Sequence, residues 1–267
     1  MLIAQISDCH IVDRGELFAD KVDSAASLRA ALAAVEALDP RPECVVLSGD
    51  LVNDGTAQQY DHLMEILAEF TVPILPLPGN HDDRQELRSR FPAILPAGGP
   101  DDEIDHVHDI GDLRIVALDT SIPGRHDGCL TERQLAWLDT QLAAAPDRPT
   151  IVAQHHPPVS SGIAWMERLS GFPDGGREAD VLRQHPQVEA VLSGHVHRSL
   201  QQKYAGTISI TCPSTASQLV LALGGGPVEY TSQPTGFLLH HWRPQHGLVS
   251  HFVPVGDFEA WSPRWAS

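Results

Sequence analysis

Short apolar runs that stop just before a carboxylate, amide or imidazole recur along this chain. Val45-Val46-Leu47 is too short for a helix, and Ser48-Gly49 halts it one step before Asp50. Such a run reads as a buried β-strand. Leu2 to Ile6 leads in the same way to Asp8 and His10, and Val72 to Leu77 leads to Asn80 and His81. Ile151 to Ala153 leads to His155 and His156, and Val188 to Leu192 leads to His195 and His197. Between these runs the spacing becomes helical. Ser24 to Leu38 is an alanine-rich amphipathic segment closed by Pro40 and Pro42, and a second helix opens at Thr56-Ala57-Gln58-Gln59 in the form of a capping box. A short helix is expected from Arg84 to Phe91, and Thr131 to Gln134 forms a capping box ahead of Leu135, Leu138 and Leu142. Strand and helix in alternation predict an α/β fold with a parallel sheet. Parallel strands share a carboxyl edge where ligands bind, so five separated segments deliver Asp, Asn and His to one edge.

The remaining chain is less regular. Ile104 to Ile110 and Leu113 to Leu118 read as a hairpin whose His106 and His108 lie on strand faces. Ser160 to Gly176 is a long mixed loop, the type that often forms a lid, and offers Trp165 and Phe172 to a substrate or to the core. Beyond His197 the pattern shifts to short strands that look antiparallel: Leu200 to Tyr204, Thr207 to Thr211, Phe237 to Trp242 and Leu248 to Val253. Residues 218–234, with Gly224-Gly225-Gly226-Pro227, read as a cap or hairpin excursion. These features divide the chain into a catalytic core over 1–204 and a segment over 205–267 that completes the fold and carries a cap or oligomerisation region. Trp261 and Trp265 in the tail suit a subunit contact, and a homo-oligomer is expected.

Composition narrows the partners. Among 267 residues, 35 are acidic and 18 basic, a formal net charge of −17 that disfavours a long nucleic acid. A small phosphate ester stays compatible, because screening confines distant charge to about 8 Å at physiological salt. No apolar stretch reaches the roughly 20 residues that cross a bilayer, so no membrane role is expected. Met1-Leu2-Ile3 enters a strand without a signal-peptide pattern, which points to a cytoplasmic protein. The four cysteines have no paired spacing, and Cys9, between Asp8 and His10, reads as a small buried residue.

The polar residues at the strand ends match hard and borderline metal ions, and a carboxylate can bridge two of them. If Asp50 bridges, one ion takes Asp8, His10, Asp50 and His197 while the other takes Asp50, Asn80, His156 and His195. Asp8 and His10 share a face if the chain is extended, as do His195 and His197. By the same alternation, His156 faces the metals while His155 packs or orients. A neutral Asn80 and the lack of any CxxC favour an open catalytic site over a closed structural one. Two ions can hold a hydroxide and polarise a phosphoryl oxygen. The charges of such a site leave one net positive, which balances a phosphodiester. His81 is placed to protonate or stabilise the leaving oxygen. Asn80, His81 and Asn53 are candidates for substrate contact, with Arg84 a further one, and Asp82 is expected to cap the next helix.

Taken together, Ser7-Asp8-Cys9-His10, Ser48-Gly49-Asp50, Gly79-Asn80-His81-Asp82, His155-His156-Pro157-Pro158 and Gly194-His195-Val196-His197 resemble the motifs of the calcineurin-like metallophosphoesterase superfamily. The start of the chain, and Gly128 to Thr131 with the helix after it, are most similar to class III cyclic nucleotide phosphodiesterases and bacterial glycerophosphodiesterases. The resemblance implies a four-layered αββα sandwich of two mixed β-sheets flanked by helices, two metal ions (Fe, Mn, Zn or Co), and the same ligand sets. It assigns His81 the assisting role, makes a small phosphodiester the substrate, and implies dimers or larger assemblies. A phosphomonoesterase of the same superfamily and a non-catalytic metal-binding scaffold are the alternatives.

Overall fold

A computed structural model describes residues 1–263 and 265. In chain order the elements are β1 (Leu2–Ile6), α1 (Ser24–Glu36), β2 (Cys44–Ser48), α2 (Ala57–Leu67), β3 (Ile74–Leu77) and α3 (Arg84–Arg90). The hairpin β4 (His106–Ile110) and β5 (Leu113–Ala117) precedes α4 (Glu132–Ala143), β6 (Thr150–Ala153), α5 (Ala164–Leu169), α6 (Gly175–Leu182) and β7 (Val188–Ser193). The chain ends with β8 (Leu200–Tyr204), β9 (Thr207–Thr211), β10 (Gln218–Leu219), β11 (Tyr230–Thr231), β12 (Gly236–Arg243) and β13 (Gly247–Pro254).

The larger strands form two mixed sheets. One has the order β13-β12-β1-β2-β3 and the other β4-β5-β6-β7-β9-β8. Strands β1, β2 and β3 are parallel, as are β5, β6, β7 and β9. The expected carboxyl edge is therefore two edges, one per sheet. The C-terminal strands only partly match an antiparallel set, because β9 joins β7 in parallel across the β8 hairpin.

Side-chain alternation assigns each face to a layer. Cys44 and Val46 of β2 join Ile151 and Ala153 of β6 and Ala190 and Leu192 of β7 in the core between the sheets. Val45 and Leu47 point the other way, to Leu28 and Leu32 of α1 and Leu63 of α2. Val116 and Val152 meet Leu138 and Leu142 of α4 and Ala179 of α6 on the outer side of the second sheet. Helix, sheet, sheet and helix are thus stacked in the expected αββα order. Both faces of each central strand are covered, which is why these strands read as continuous apolar runs.

Several local readings needed revision. Thr56 caps α2, but Gln59 turns its side chain to Asp54 and the box is not closed; Thr131 and Gln134 close theirs. Asp83 caps α3, not Asp82. The 160–176 loop contains α5 and the start of α6, and the 218–234 excursion contains the small β10-β11 ladder. Among the described residues, no helix is long and apolar enough to cross a membrane.

One polar group ties the two sheets together just below their carboxyl ends. Gln5 is fully buried on β1; its Nε2 donates to Ser48 Oγ at 2.9 Å and to Ser193 O of the opposing sheet at 2.8 Å. Its Oε1 lies 3.1 Å from Nε2 of the buried His240. Gln5→Leu would fill the space, strand His240 Nε2 and remove one hydrogen bond each from Ser48 Oγ, which still donates to Ile6 O, and Ser193 O, which still accepts from Cys212 N, at about 1–3 kcal/mol for the stranded group and about 1 kcal/mol for each lost bond. Chemical denaturation should show a loss of about 2–4 kcal/mol for Gln5→Leu; a variant as stable as the parent would mean that the tie contributes nothing.

Candidate metal centre

The ends of β1, β2 and β7 turn sharply, and the turns present the side chains. Of the seven candidate ligands, five (Asp8, His10, Asp50, His195 and His197) have φ between 44° and 71°, the left-handed region. Such a conformation costs a non-glycine residue on the order of 1 kcal/mol and persists only where its surroundings impose it. It also corrects the expected geometry. Asp8 and His10 converge through successive left-handed turns after β1 has ended at Ile6, not by strand alternation. The same holds for His195 and His197 beyond Ser193.

Close packing explains the glycines beside the ligands. A Cβ at Gly194 would overlap Ser7 Oγ and come within 2.8 Å of Asp8 Oδ2; one at Gly79 would overlap the Asp50 backbone nitrogen. One at Gly128 would run into the His156 ring.

These turns gather acceptors. Both oxygens of Asp8 accept from His195 N at 3.0 Å, and Oδ1 lies 3.4 Å from His197 Nε2. Asp50 Oδ1 accepts from His81 N at 2.9 Å, while Oδ2 lies 3.3 Å from His155 Nε2 and 3.7 Å from His10 Nε2. Ligand atoms of Asp8, His10 and His197 lie within 4.8 Å of one another, and so do those of His155, His156 and His195. Asp50 joins His10 and His81 in one such group and Asp8 and His155 in another, so it stands between the clusters.

The chemistry of this donor set fits cations. His197 Nδ1 lies 2.8 Å from Ser217 O, which requires the ring proton there and leaves Nε2 as a lone pair in the neutral ring. That lone pair faces His10 Nε2 at 3.0 Å. His10 Nδ1 and Asn80 Oδ1 are buried without hydrogen-bond partners. Burial lowers the basicity of His10 and His195, and burial together with the charge on His155 brings His156 to about 3, so these rings are neutral, as metal ligands must be. Burial alone would raise Asp50, but His155, His81 and His10 hold it well below the usual carboxylate range. His155 shows the converse: burial opposes its charge, yet Asp50 and Asp8 raise it to about 9. Buried carboxylates and lone pairs this close demand positive charge, and the donor set fits metal cations.

Residues 1–199 match the model of the calcineurin-like phosphoesterase family. The chain belongs to that family. Among curated relatives, it is 33% identical over 260 residues to a probable glycerophosphodiester phosphodiesterase, GpdQ, of Arcobacter nitrofigilis, covering 97% of this chain and 95% of that one. It is 37% identical over 258 residues to a probable cyclic nucleotide phosphodiesterase of Rhodococcus erythropolis, covering 95% and 83%. Over 218 residues it is 33% identical to the 3',5'-cyclic adenosine monophosphate phosphodiesterase CpdA of Escherichia coli K12, covering 81% and 76%. A dimetal phosphatase from Danio rerio shares the fold, with a TM-score of 0.69 at 18% identity over 96% of this chain and 99% of that one.

In this calcineurin-like phosphoesterase the other expected contacts are distributed unevenly. Asn80 and His81 line one cavity with His10, Asp50, His195 and His197. His156 packs against His195, with ring centroids 4.5 Å apart, and its Nδ1 lies 2.8 Å from Thr120 Oγ1. His155 enters the cluster beside it, since β6 ends at Ala153 and alternation no longer applies. Asn53 departs from expectation: its amide donates to Asp54, and its carbonyl takes the His81 Nδ1 contact at 2.6 Å. Arg84 is buried against Asp119 at 2.7 Å and is structural. Asp82 ties the two ligand turns together, accepting from Gly79 N, Leu51 N and Tyr60 OH. Phe172 stacks on His156 at 6.5 Å, whereas Trp165 lines the cavity. His126, which sequence reasoning passed over, lines it too, and its Nδ1 lies 3.3 Å from Asn80 Nδ2. Its signal was the position of its loop, which leaves the carboxyl end of β5 beside the other ligand turns.

Behind His156, Gln154 Nε2 donates to the His156 carbonyl at 2.7 Å. Gln154 also neighbours Glu178, a fully buried acid whose Oε2 lies 3.1 Å from Tyr204 OH. Burial raises Glu178 to about 8 from an ordinary 4.5. In the window from 4.5 to 8 the folded chain keeps a proton that the unfolded chain has lost. The stability tied to that proton is complete below 4.5 and is lost as pH rises through about 8. Thermal melts of Glu178→Gln, which is neutral at every pH, should show a gain over the parent that grows from pH 5 to pH 8.5 to on the order of a few kcal/mol. Melting curves that shift in parallel with pH would rule out a protonated Glu178.

Proposed function

We propose that this chain hydrolyses small phosphodiesters at a two-metal centre, giving a phosphomonoester and an alcohol. Asp8, His10, Asp50 and His197 would hold one ion, and Asp50, Asn80, His156 and His195 the other. When bound, ions such as Fe, Mn, Zn or Co supply Lewis acidity that activates water and polarises the phosphoryl oxygen. The observation that carries this reading is the position of Asp50 between two ligand clusters.

The residues around the ions support a diester. Among the described residues, the cavity lining holds no lysine or arginine. A second negative charge on a monoester would find no partner there, and the three curated relatives bear the names of diesterases. His81 is held by its Nδ1 proton on Asn53 O, so Nε2 is its working atom. With Nε2 protonated, His81 donates that proton to the leaving oxygen as the phosphorus–oxygen bond breaks, while the oxygen of water bonds to phosphorus and the proton that this water releases passes to solvent. His81 N on Asp50 Oδ1 fixes both residues relative to each other. The exposed Phe252, Phe258 and Trp261 support a contact between subunits.

Steady-state rates on bis(p-nitrophenyl) phosphate and p-nitrophenyl phosphate test the reading. Metal-loaded enzyme should favour the diester in kcat/KM, and His81→Ala should lose about 10²–10⁴ in kcat with metal content intact. A preference for the monoester would remove the diester assignment, and an unchanged kcat in the variant would remove the role of His81.

A further inference from the structure

The cavity over the candidate ligands encloses about 260 Å³ and has two unlike walls. One is the metal-ligand wall. The other is apolar: Trp165, Met166 and Leu169 come from α5, and Leu219, Val228 and Tyr230 from the excursion that β10 and β11 close. The two segments approach each other at the rim, where a Cβ on Gly162 would lie 3.3 Å from Leu223 Cδ2. Leu169, Val228 and Tyr230 remain 57%, 53% and 44% exposed, an apolar surface that water covers unless a ligand does.

Two features describe the missing ligand. Tyr230 stands beside the metal-ligand wall, its ring centroid 5.9 Å from that of His197, and is braced edge-on by Phe18 at 5.3 Å. Trp165 lines the opposing wall, with Met166 and Leu169 beside it on α5. A choline, glycerol or ethanolamine group is too small to cover the leucines, valine and aromatic faces of both segments. A planar heteroaromatic ring covers apolar surface and stacks on aromatic side chains.

Resting on the phosphodiesterase reading above, we propose that Trp165 and Tyr230 determine specificity by binding a heteroaromatic ring on the substrate, so that nucleoside phosphodiesters are selected over glycerophosphodiesters. The two aromatic residues touch the part of the substrate that does not react, and their effect falls on binding.

The test compares adenosine 3',5'-cyclic monophosphate with glycerophosphoethanolamine on metal-loaded parent enzyme, Trp165→Phe, Trp165→Ala and Tyr230→Ala. The parent should show the higher kcat/KM on the cyclic nucleotide. Trp165→Ala and Tyr230→Ala should each raise its KM by roughly tenfold with little change in kcat, as expected for loss of one stacking partner. Trp165→Phe keeps a smaller ring and should fall between parent and Trp165→Ala. Turnover of glycerophosphoethanolamine should be nearly unchanged throughout. Tyr230 is exposed enough that its variant tests the idea even if Trp165→Ala does not fold. Parallel losses on both substrates, or a parent that prefers glycerophosphoethanolamine, would overturn the proposal. Hydrolysis of neither diester would instead overturn the phosphodiesterase reading and this inference with it.

Discussion

Electron-rich atoms crowded into a dry space are the constraint on which this structure depends. Asp8 and Asp50 are buried among histidines that burial keeps largely neutral, and ring nitrogens of His10 and His197 face each other at 3.0 Å. Left to themselves, these groups repel or go unpaired, and a buried charge without a partner is costly. His155, raised to about 9 by the carboxylates, shows how strongly the site draws positive charge. Metal ions answer the same demand with geometry and Lewis acidity that a proton cannot supply.

The fold supplies the force that holds such a site together. Five candidate ligand residues sit in left-handed turns, a strain of about 5 kcal/mol in sum if each costs about 1. The surrounding packing imposes it. Gly79, Gly128 and Gly194 let backbone lie flush against Asp50, His156 and Asp8, Asp82 binds two ligand turns to each other, and Gln5 joins the sheets beneath them. Four layers of apolar side chains around those polar ties make the turns an extension of a rigid frame. Stability of the frame and shape of the site are therefore one problem, and the acid at Glu178, reaching His156 through Gln154, belongs to both.

Much of this was legible from the chain because buried strands leave unbroken apolar runs, and the residue types at their ends are few. Val45 to Leu47 before Asp50, or Val188 to Leu192 before His195, could hardly be anything but central strands, although they open on the edges of two sheets and not of one. The turns themselves were not legible. Alternation predicts an extended Asp8-Cys9-His10, whereas the packing of Gly194 against Ser7 and Asp8 comes from residues far apart in sequence. For the same reason alternation leaves His155 to pack or orient: nothing local announces that β6 stops at Ala153. Asp82 and Asp83 are equivalent as caps on paper, and only the position of Tyr60 and Leu51 separates them. Helix α6 opens on Gly175-Gly176, a pair that masks a helix start, and Gly175 is there because its Cβ would strike the Pro158 carbonyl. His126 lies in an irregular loop and Tyr230 on a two-residue strand, and tertiary contacts set the course of both.

The central claim is that one carboxylate joins two ion sites into a single centre. Counting metal per chain by plasma mass spectrometry, after reconstitution of purified protein, tests it most directly when the parent is set beside Asp50→Ala. The account predicts two ions for the parent and a marked loss of both from the variant, since each site loses a ligand. A parent that saturates at one ion, or a variant that still holds two tightly, would contradict it.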